Sequence, residues 1–283
     1  MFDDSLPPLE AVYSPGMNRT LKLGLVHTDK PPDVPRLAAY LRAGKPLPAK
    51  VDYATKAKAA IARMYLNDQY GCCSIADQYH ALGVRSGNDG VPLVTGTDQE
   101  VLDTYMRWKA GRGDSGCVMG DVLTRLVQTG VVANGVTYKA DGFVSVNNAN
   151  ATEVKTAIVL FGTLALGMNL PGDWHASAPD SDWNPTGSYT VGGHDVLVCG
   201  YDDVGVTIST WGGLRRITWA AFTSRQWITE TYAVLAPLWY GADGLSPGLV
   251  HADALLKDLQ TLRDGGLPEL PDAPDEHLDW SAV

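Results

Sequence analysis

The stretch Asn67-Asp68-Gln69-Tyr70-Gly71-Cys72-Cys73-Ser74-Ile75-Ala76-Asp77-Gln78-Tyr79-His80-Ala81-Leu82-Gly83 decides how the chain is read. Its first five residues form a turn pattern. From Cys73 onward, Ile75, Ala76, Tyr79 and Leu82 recur at helical spacing, and Gly83 supplies a C-cap. Cys73 is therefore expected at a helix N-terminus, where the positive end of the macrodipole favours a thiolate. Such a sulfur becomes a nucleophile near neutral pH when an imidazole stands beside it.

The imidazole with a matching setting is His194, which opens the apolar run Gly192-Gly193-His194-Asp195-Val196-Leu197-Val198-Cys199-Gly200-Tyr201. Glycines precede both residues, and a missing Cβ lets a substrate backbone approach closely. Strand alternation puts His194, Val196 and Val198 on one face and Asp195, Leu197 and Cys199 on the other. Asp195 is thus not expected to act with His194, and Cys199 is expected to be a buried thiol.

Further helices are predicted over Asp98–Lys109, Gly120–Thr129 and Ala151–Leu160. Strands are predicted over Leu164–Leu170, His194–Tyr201, Val204–Thr210 and Tyr232–Trp239, from short length, β-branched content and bounding glycines. Helices first and strands second imply an α+β protein with segregated halves. Residues 1–50 hold eight prolines and one short helical pattern near Val34–Ala43, which reads as an extended arm. Residues 51–240 form the body, and 241–283 an acidic C-terminal tail.

The whole chain has 283 residues with 45% hydrophobic and 19% charged, enough to bury a large core. The net charge of -10 argues against a nucleic-acid partner. Beyond Tyr240 stand nine carboxylates against Lys257 and Arg263, so the first 240 residues are close to neutral. The apolar stretch Ala157–Leu170 is too short to span a bilayer, and Met1-Phe2-Asp3-Asp4 lacks the basic start of a secretory signal. The expectation is a soluble chain made in a reducing cytosol, with Cys72, Cys73, Cys117 and Cys199 as thiols. Gly111-x-Gly113-x-x-Gly116 follows a helical pattern rather than a strand, which sets a dinucleotide fold aside. His80 has no ligand spacing around it, so neither a metal nor a cofactor is expected.

Four blocks in order, Asn67-x-x-x-Gly71-Cys72-Cys73-x-x-Ala76, Ala157-Ile158-x-x-Phe161-Gly162-x-Leu164-Ala165-x-Gly167, Gly192-Gly193-His194 with its strand, and Ser209-Thr210-Trp211-Gly212, resemble papain-like cysteine peptidases. They are most similar to a divergent phage- and prophage-encoded group. The resemblance covers about residues 52–240 and implies a papain-like fold, a helical half followed by a β-barrel-like antiparallel half. It implies a thiol hydrolase of peptide or isopeptide bonds, with Cys73 as nucleophile and His194 as base and acid. Asn67 falls where the family places an oxyanion-hole Gln, with Gln69 near enough to compete. Ser209 falls where the family has the Asn that orients the histidine, and Thr210 adjoins it. Trp211 matches the Trp that shields that bond. Gln69, Gly71, Gly193 and Trp211 are expected along the substrate path. Cys117 sits in a setting similar to one half of a family disulfide, leaving a bond to Cys72 open. The alternative is a catalytically silent structural or attachment component of a phage particle, with phage proteins as partners of the arm and tail and the virion as its final location.

Overall fold

The computed structural model describes residues 11–29, 32–39, 46–175, 177, 181–184, 187, 189–240 and 257. In chain order its strands are β1 (Ala11–Ser14), β2 (Arg19–Lys22), β3 (Val51–Asp52), β4 (Val131–Ala133), β5 (Val136–Tyr138), β6 (Gly142–Ser145), β7 (Leu164–Pro171), β8 (Asp182–Trp183), β9 (Thr190–Tyr201), β10 (Gly205–Thr210), β11 (Gly213–Thr218) and β12 (Ile228–Leu235). The helices are α1 (Lys58–Ile61), α2 (Cys73–Asp89), α3 (Asp98–Trp108), α4 (Met119–Gln128), α5 (Ala151–Phe161) and α6 (Trp219–Phe222).

Helix α2 starts at Cys73 as its spacing predicts, but it runs through Gly83 and ends before Gly90, whose φ of 77° makes the left-handed cap. Gly83 serves packing instead: a Cβ there would lie 2.2 Å from that of Ala60 on α1. Helix α3 is fixed by a capping box in which Thr97 and Glu100 satisfy each other's backbone amides. Asn150 caps α5 through the amides of Thr152 and Glu153. The strand predicted over Tyr232–Trp239 is displaced toward the N-terminus. Pro237 begins a 3-10 turn over Pro237–Trp239, so β12 stops at Leu235.

One eight-stranded sheet has the order β6-β12-β7-β9-β10-β11-β8, with β3 added beside β9. All its pairings are antiparallel except β11 with β8. This corrects the barrel expected of the second half: the path ends at two different strands, β6 and β8, and among the described residues it does not close. One apolar cluster packs α5 and the long strands together, including Leu166, Met168, Val196, Val198 and Phe161. A second joins α2, α3 and α4 to the other side of β7 and β12, through Tyr79, Tyr105, Leu123, Ala165 and Tyr232. Trp174 and Trp183 stack 5.1 Å apart and are buried, so they pin the loop before β9.

The border between the helical elements and the sheet is where α2 begins and β9 passes, and the N-terminal segment lies across it. β1 and β2 form a hairpin, after which the chain runs extended. The Leu25 amide donates to the Gly193 carbonyl at 3.1 Å, the Val26 amide to the Cys117 carbonyl at 2.8 Å, and the Cys117 amide to the Gly24 carbonyl at 2.8 Å. Of the helical pattern near Val34–Ala43 only a 3-10 turn, Leu37–Ala39, is seen, and residues 40–45 lie outside the described residues. So does the acidic tail, Lys257 apart.

Candidate active site

Cys73 occupies the first turn of a 17-residue helix with only 1% of its surface exposed. The backbone amides of Asp195 and Gly24 both point at its sulfur. Burial outweighs them and pushes the thiol up to about 12, so Cys73 is a neutral thiol in this state. The cover comes from the N-terminal segment. A Cβ on Gly24 would meet the Gly71 carbonyl oxygen at 1.9 Å, one on Gly116 would meet the Gly24 oxygen at 2.3 Å, and one on Gly193 would meet the Leu25 oxygen at 2.3 Å. Three glycines, Gly24, Gly116 and Gly193, therefore let the segment's backbone press between the two walls of a cleft.

His194 is fully buried on β9. Its Nε2 lies 2.8 Å from Thr210 Oγ1, and its ring stacks on Trp211 at 4.1 Å and 12°. Trp211 and Gly212, with φ of 47° and 73°, form the two-residue turn between β10 and β11, where both residues need positive φ. A left-handed Trp is strained, and its stacking on the imidazole is the contact that holds it there. Burial takes His194 down to about 3, so the ring is neutral. Its Nδ1 is buried without a hydrogen-bond partner.

The other expected site residues divide. Thr210, rather than Ser209, reaches the imidazole, because neighbouring strand residues face opposite ways. The Ser209 hydroxyl is buried and makes no hydrogen bond. Asn67 is buried; its side-chain amide donates to the Tyr70 carbonyl at 3.3 Å, and its own carbonyl accepts from the Lys22 amide. Gln69 is exposed. Gly71 is held by its amide donating to Asp114 Oδ1 at 2.9 Å, an oxygen that also accepts from the Tyr105 hydroxyl. Gly71 and Gly193 both line the filled cleft. All four cysteines are free and buried, so no Cys72 to Cys117 bond is present. His80 Nε2 donates to the Arg63 carbonyl at 2.9 Å. Among the described residues no three His, Cys, Asp or Glu side chains gather as a metal would require, and no helix is long and apolar enough to cross a membrane.

Sequence reasoning missed a group of buried acids behind Cys73. Asp195 turns away from His194 as alternation predicts, and the face it turns to is that of Cys73. Both of its oxygens are buried without hydrogen-bond partners, as is Asp77 Oδ1, while Gln78 Nε2 donates to Asp77 Oδ2 at 2.6 Å. Burial pushes Asp77 up to about 8 against the pull of the Arg85 charge, and pushes Asp195 well above the ordinary range, where the Asp77 charge adds to it. Asp77 lies four residues after Cys73, on the same helical face, and that spacing was a usable signal.

These acids make the closed form pH-sensitive. A carboxyl raised on folding stabilises fully below its unfolded value, and that contribution is lost as pH rises through the folded one. For Asp77 the window runs from 3.8 to about 8. Urea denaturation at pH 5 and pH 8 checks it. The parent chain should lose more stability over that interval than Asp77→Asn, by on the order of a few kcal/mol. Equal losses in the two chains would exclude Asp77 as the source.

The chain matches no family model and no curated protein sequence. Among solved structures it is similar to xylellain, a cysteine protease from Xylella fastidiosa, at 15% identity with a TM-score of 0.57, covering 80% of this chain and 97% of that one. It is similar to proCathepsin B S9 from Trypanosoma congolense at 14% identity and a TM-score of 0.58, covering 76% and 86%. A cysteine protease of Carica candamarcensis, CMS1MS2 in complex with E-64, matches at 18% identity and a TM-score of 0.51, covering 67% and 99%. At such identities the likeness speaks for architecture alone, and the architecture of this chain is that of the papain-like cysteine proteases.

Proposed function

We propose that the chain is a thiol hydrolase of peptide or isopeptide bonds, held latent by its own N-terminal segment. The observation that carries this reading is the seating of residues 24–26 by backbone hydrogen bonds in a cleft whose floor is Cys73 and whose wall is the His194 strand. An extended chain bound there through its backbone is what a peptide substrate would resemble. With His194 Nε2–H donating to Thr210, Nδ1 is the basic ring nitrogen. Once the segment leaves, Nδ1 takes the Cys73 proton and the sulfur attacks the substrate carbonyl. The leaving amine then takes that proton from His194, and water hydrolyses the thioester. The Cys73 backbone amide at the start of α2 stabilises the oxyanion, with Asn67 turning from Tyr70 to join it.

The test is hydrolysis of a mixed peptide pool by the full chain opened by Gly24→Val, followed by mass spectrometry with the Gly24→Val, Cys73→Ala chain as the blank. New peptide termini in the opened chain and none in the blank are expected. Termini that appear equally in both, or in neither after the segment has been displaced, would overturn the reading.

A further inference from the structure

Gln78, Leu82, Arg85 and Asp89 recur every three or four residues along α2, so they share one face of the helix. That face lines a cavity of about 600 Å³, completed by Leu126 of α4, the end of β5 and the chain from Ala236 to Leu238. Such a volume falls in the range of small-molecule pockets, about 300 to 1,000 Å³. Arg85 stands twelve residues beyond Cys73, about 18 Å along the helix at a rise of about 1.5 Å per residue. The cavity is therefore separate from the cleft that holds residues 24–26.

Two polar residues in its lining are incomplete. Gln78 and Arg85 are only 2% and 3% exposed. Arg85 Nη2 donates to Thr163 Oγ1 at 2.9 Å, but Arg85 Nε has no hydrogen-bond partner, and neither has Gln78 Oε1. Among the described residues no carboxylate comes within ion-pair distance of Arg85. The acid that acts on it, Asp77, is pushed by burial up to about 8 and is mostly uncharged at neutral pH. Arg85 keeps its charge there, although burial brings it down to about 10. A buried cation without a counter-ion and a buried carbonyl without a donor are both costly. Leu82, Leu126, Pro237 and Leu238 supply an apolar wall. Exposed Lys139 adds a second positive charge to the lining, and Asp89, which has a partner of its own, is the one acid in it. A ligand that completes this set carries an anion for Arg85, an N–H for Gln78 Oε1 and an apolar group for the leucines. An N-acylated apolar amino acid with a free carboxylate has all three, and the guanidinium fork matches a carboxylate best.

We propose that this cavity is a binding site for the carboxyl-terminal end of a peptide whose last residue is apolar. The terminal carboxylate pairs with Arg85, the last backbone N–H donates to Gln78 Oε1, and the last side chain packs among Leu82, Leu126 and Leu238. The site does not depend on the hydrolase reading, because none of these groups belongs to the cleft.

Isothermal titration calorimetry of the full chain at pH 7 tests the site, with acetyl-Ala-Leu as the probe. The free acid should bind. Its C-terminal amide keeps the shape and the N–H but loses the charge, and should bind at least about tenfold more weakly. That comparison is made in the parent chain and decides the matter even if a variant fails to fold. Leu238→Trp, which fills the cavity from a half-buried wall, and Arg85→Met, which removes the cation, should each weaken binding of the free acid by about tenfold or more. Equal binding of acid and amide, no binding of the acid up to about 10 mM, or binding unchanged by both variants would overturn the proposal.

Discussion

Gly24→Val should raise the rate of Cys73 alkylation by iodoacetamide at pH 7 by about 100- to 1,000-fold, with little change in the far-ultraviolet circular dichroism. A Cβ at residue 24 would stand 1.9 Å from the Gly71 carbonyl oxygen and 2.3 Å from its carbon, both backbone atoms just before the start of α2. Neither can yield without moving the start of α2, so the N-terminal segment is the part that moves. In the closed form the thiol is 1% exposed and held at about 12, which leaves almost no thiolate at neutral pH. Removing the cover restores solvent, and the helix N-terminus then favours the anion. Peptide mapping of the adduct identifies the residue. If Cys73 in Gly24→Val reacts no faster than in the parent, the segment is not what shields it.

The second large effect concerns His194. On the hydrolase reading, His194→Ala in the opened chain should lower kcat/KM for a peptide substrate by about 100- to 10,000-fold, the range for loss of a general base. Thr210→Val should cost about 10- to 100-fold, because the ring loses the partner that sets its tautomer and orientation. Ser209→Ala should change little, since that hydroxyl already lacks a partner. Steady-state kinetics of the three variants orders them. A Ser209→Ala loss as large as that of Thr210→Val would move the third role back to Ser209.

Much of this architecture is legible in the residues. Cys73 at a helix start and His194 in a long apolar strand follow from period and from glycine placement, and both elements are present. Where local rules compete with packing, the reading fails. Gly83 looks like a cap, yet its missing Cβ is used by Ala60. β11 carries Leu214-Arg215-Arg216, where no strand is predicted, and it is a strand paired along its length with β10, with Arg216 meeting Asp182 and Asp202, each at 2.8 Å. The choice between Ser209 and Thr210 depends on strand phase, which a one-residue shift inverts. Nor could the N-terminal segment be placed by local signals. Its alternating Leu21, Leu23 and Leu25 suggest an extended run, but its backbone partners lie far along the chain, at Cys117 and Gly193.

That separation also has a consequence in time. Synthesis proceeds from the N-terminus, and domains begin to fold as they emerge. Gly24 and Leu25 are made before Cys73, and well before the strand bearing His194 or the turn bearing Trp211. By the time the last wall of the cleft exists, its occupant has long been attached and waiting nearby at high local concentration. A nascent chain therefore carries the segment that covers Cys73 before the walls of the cleft are made.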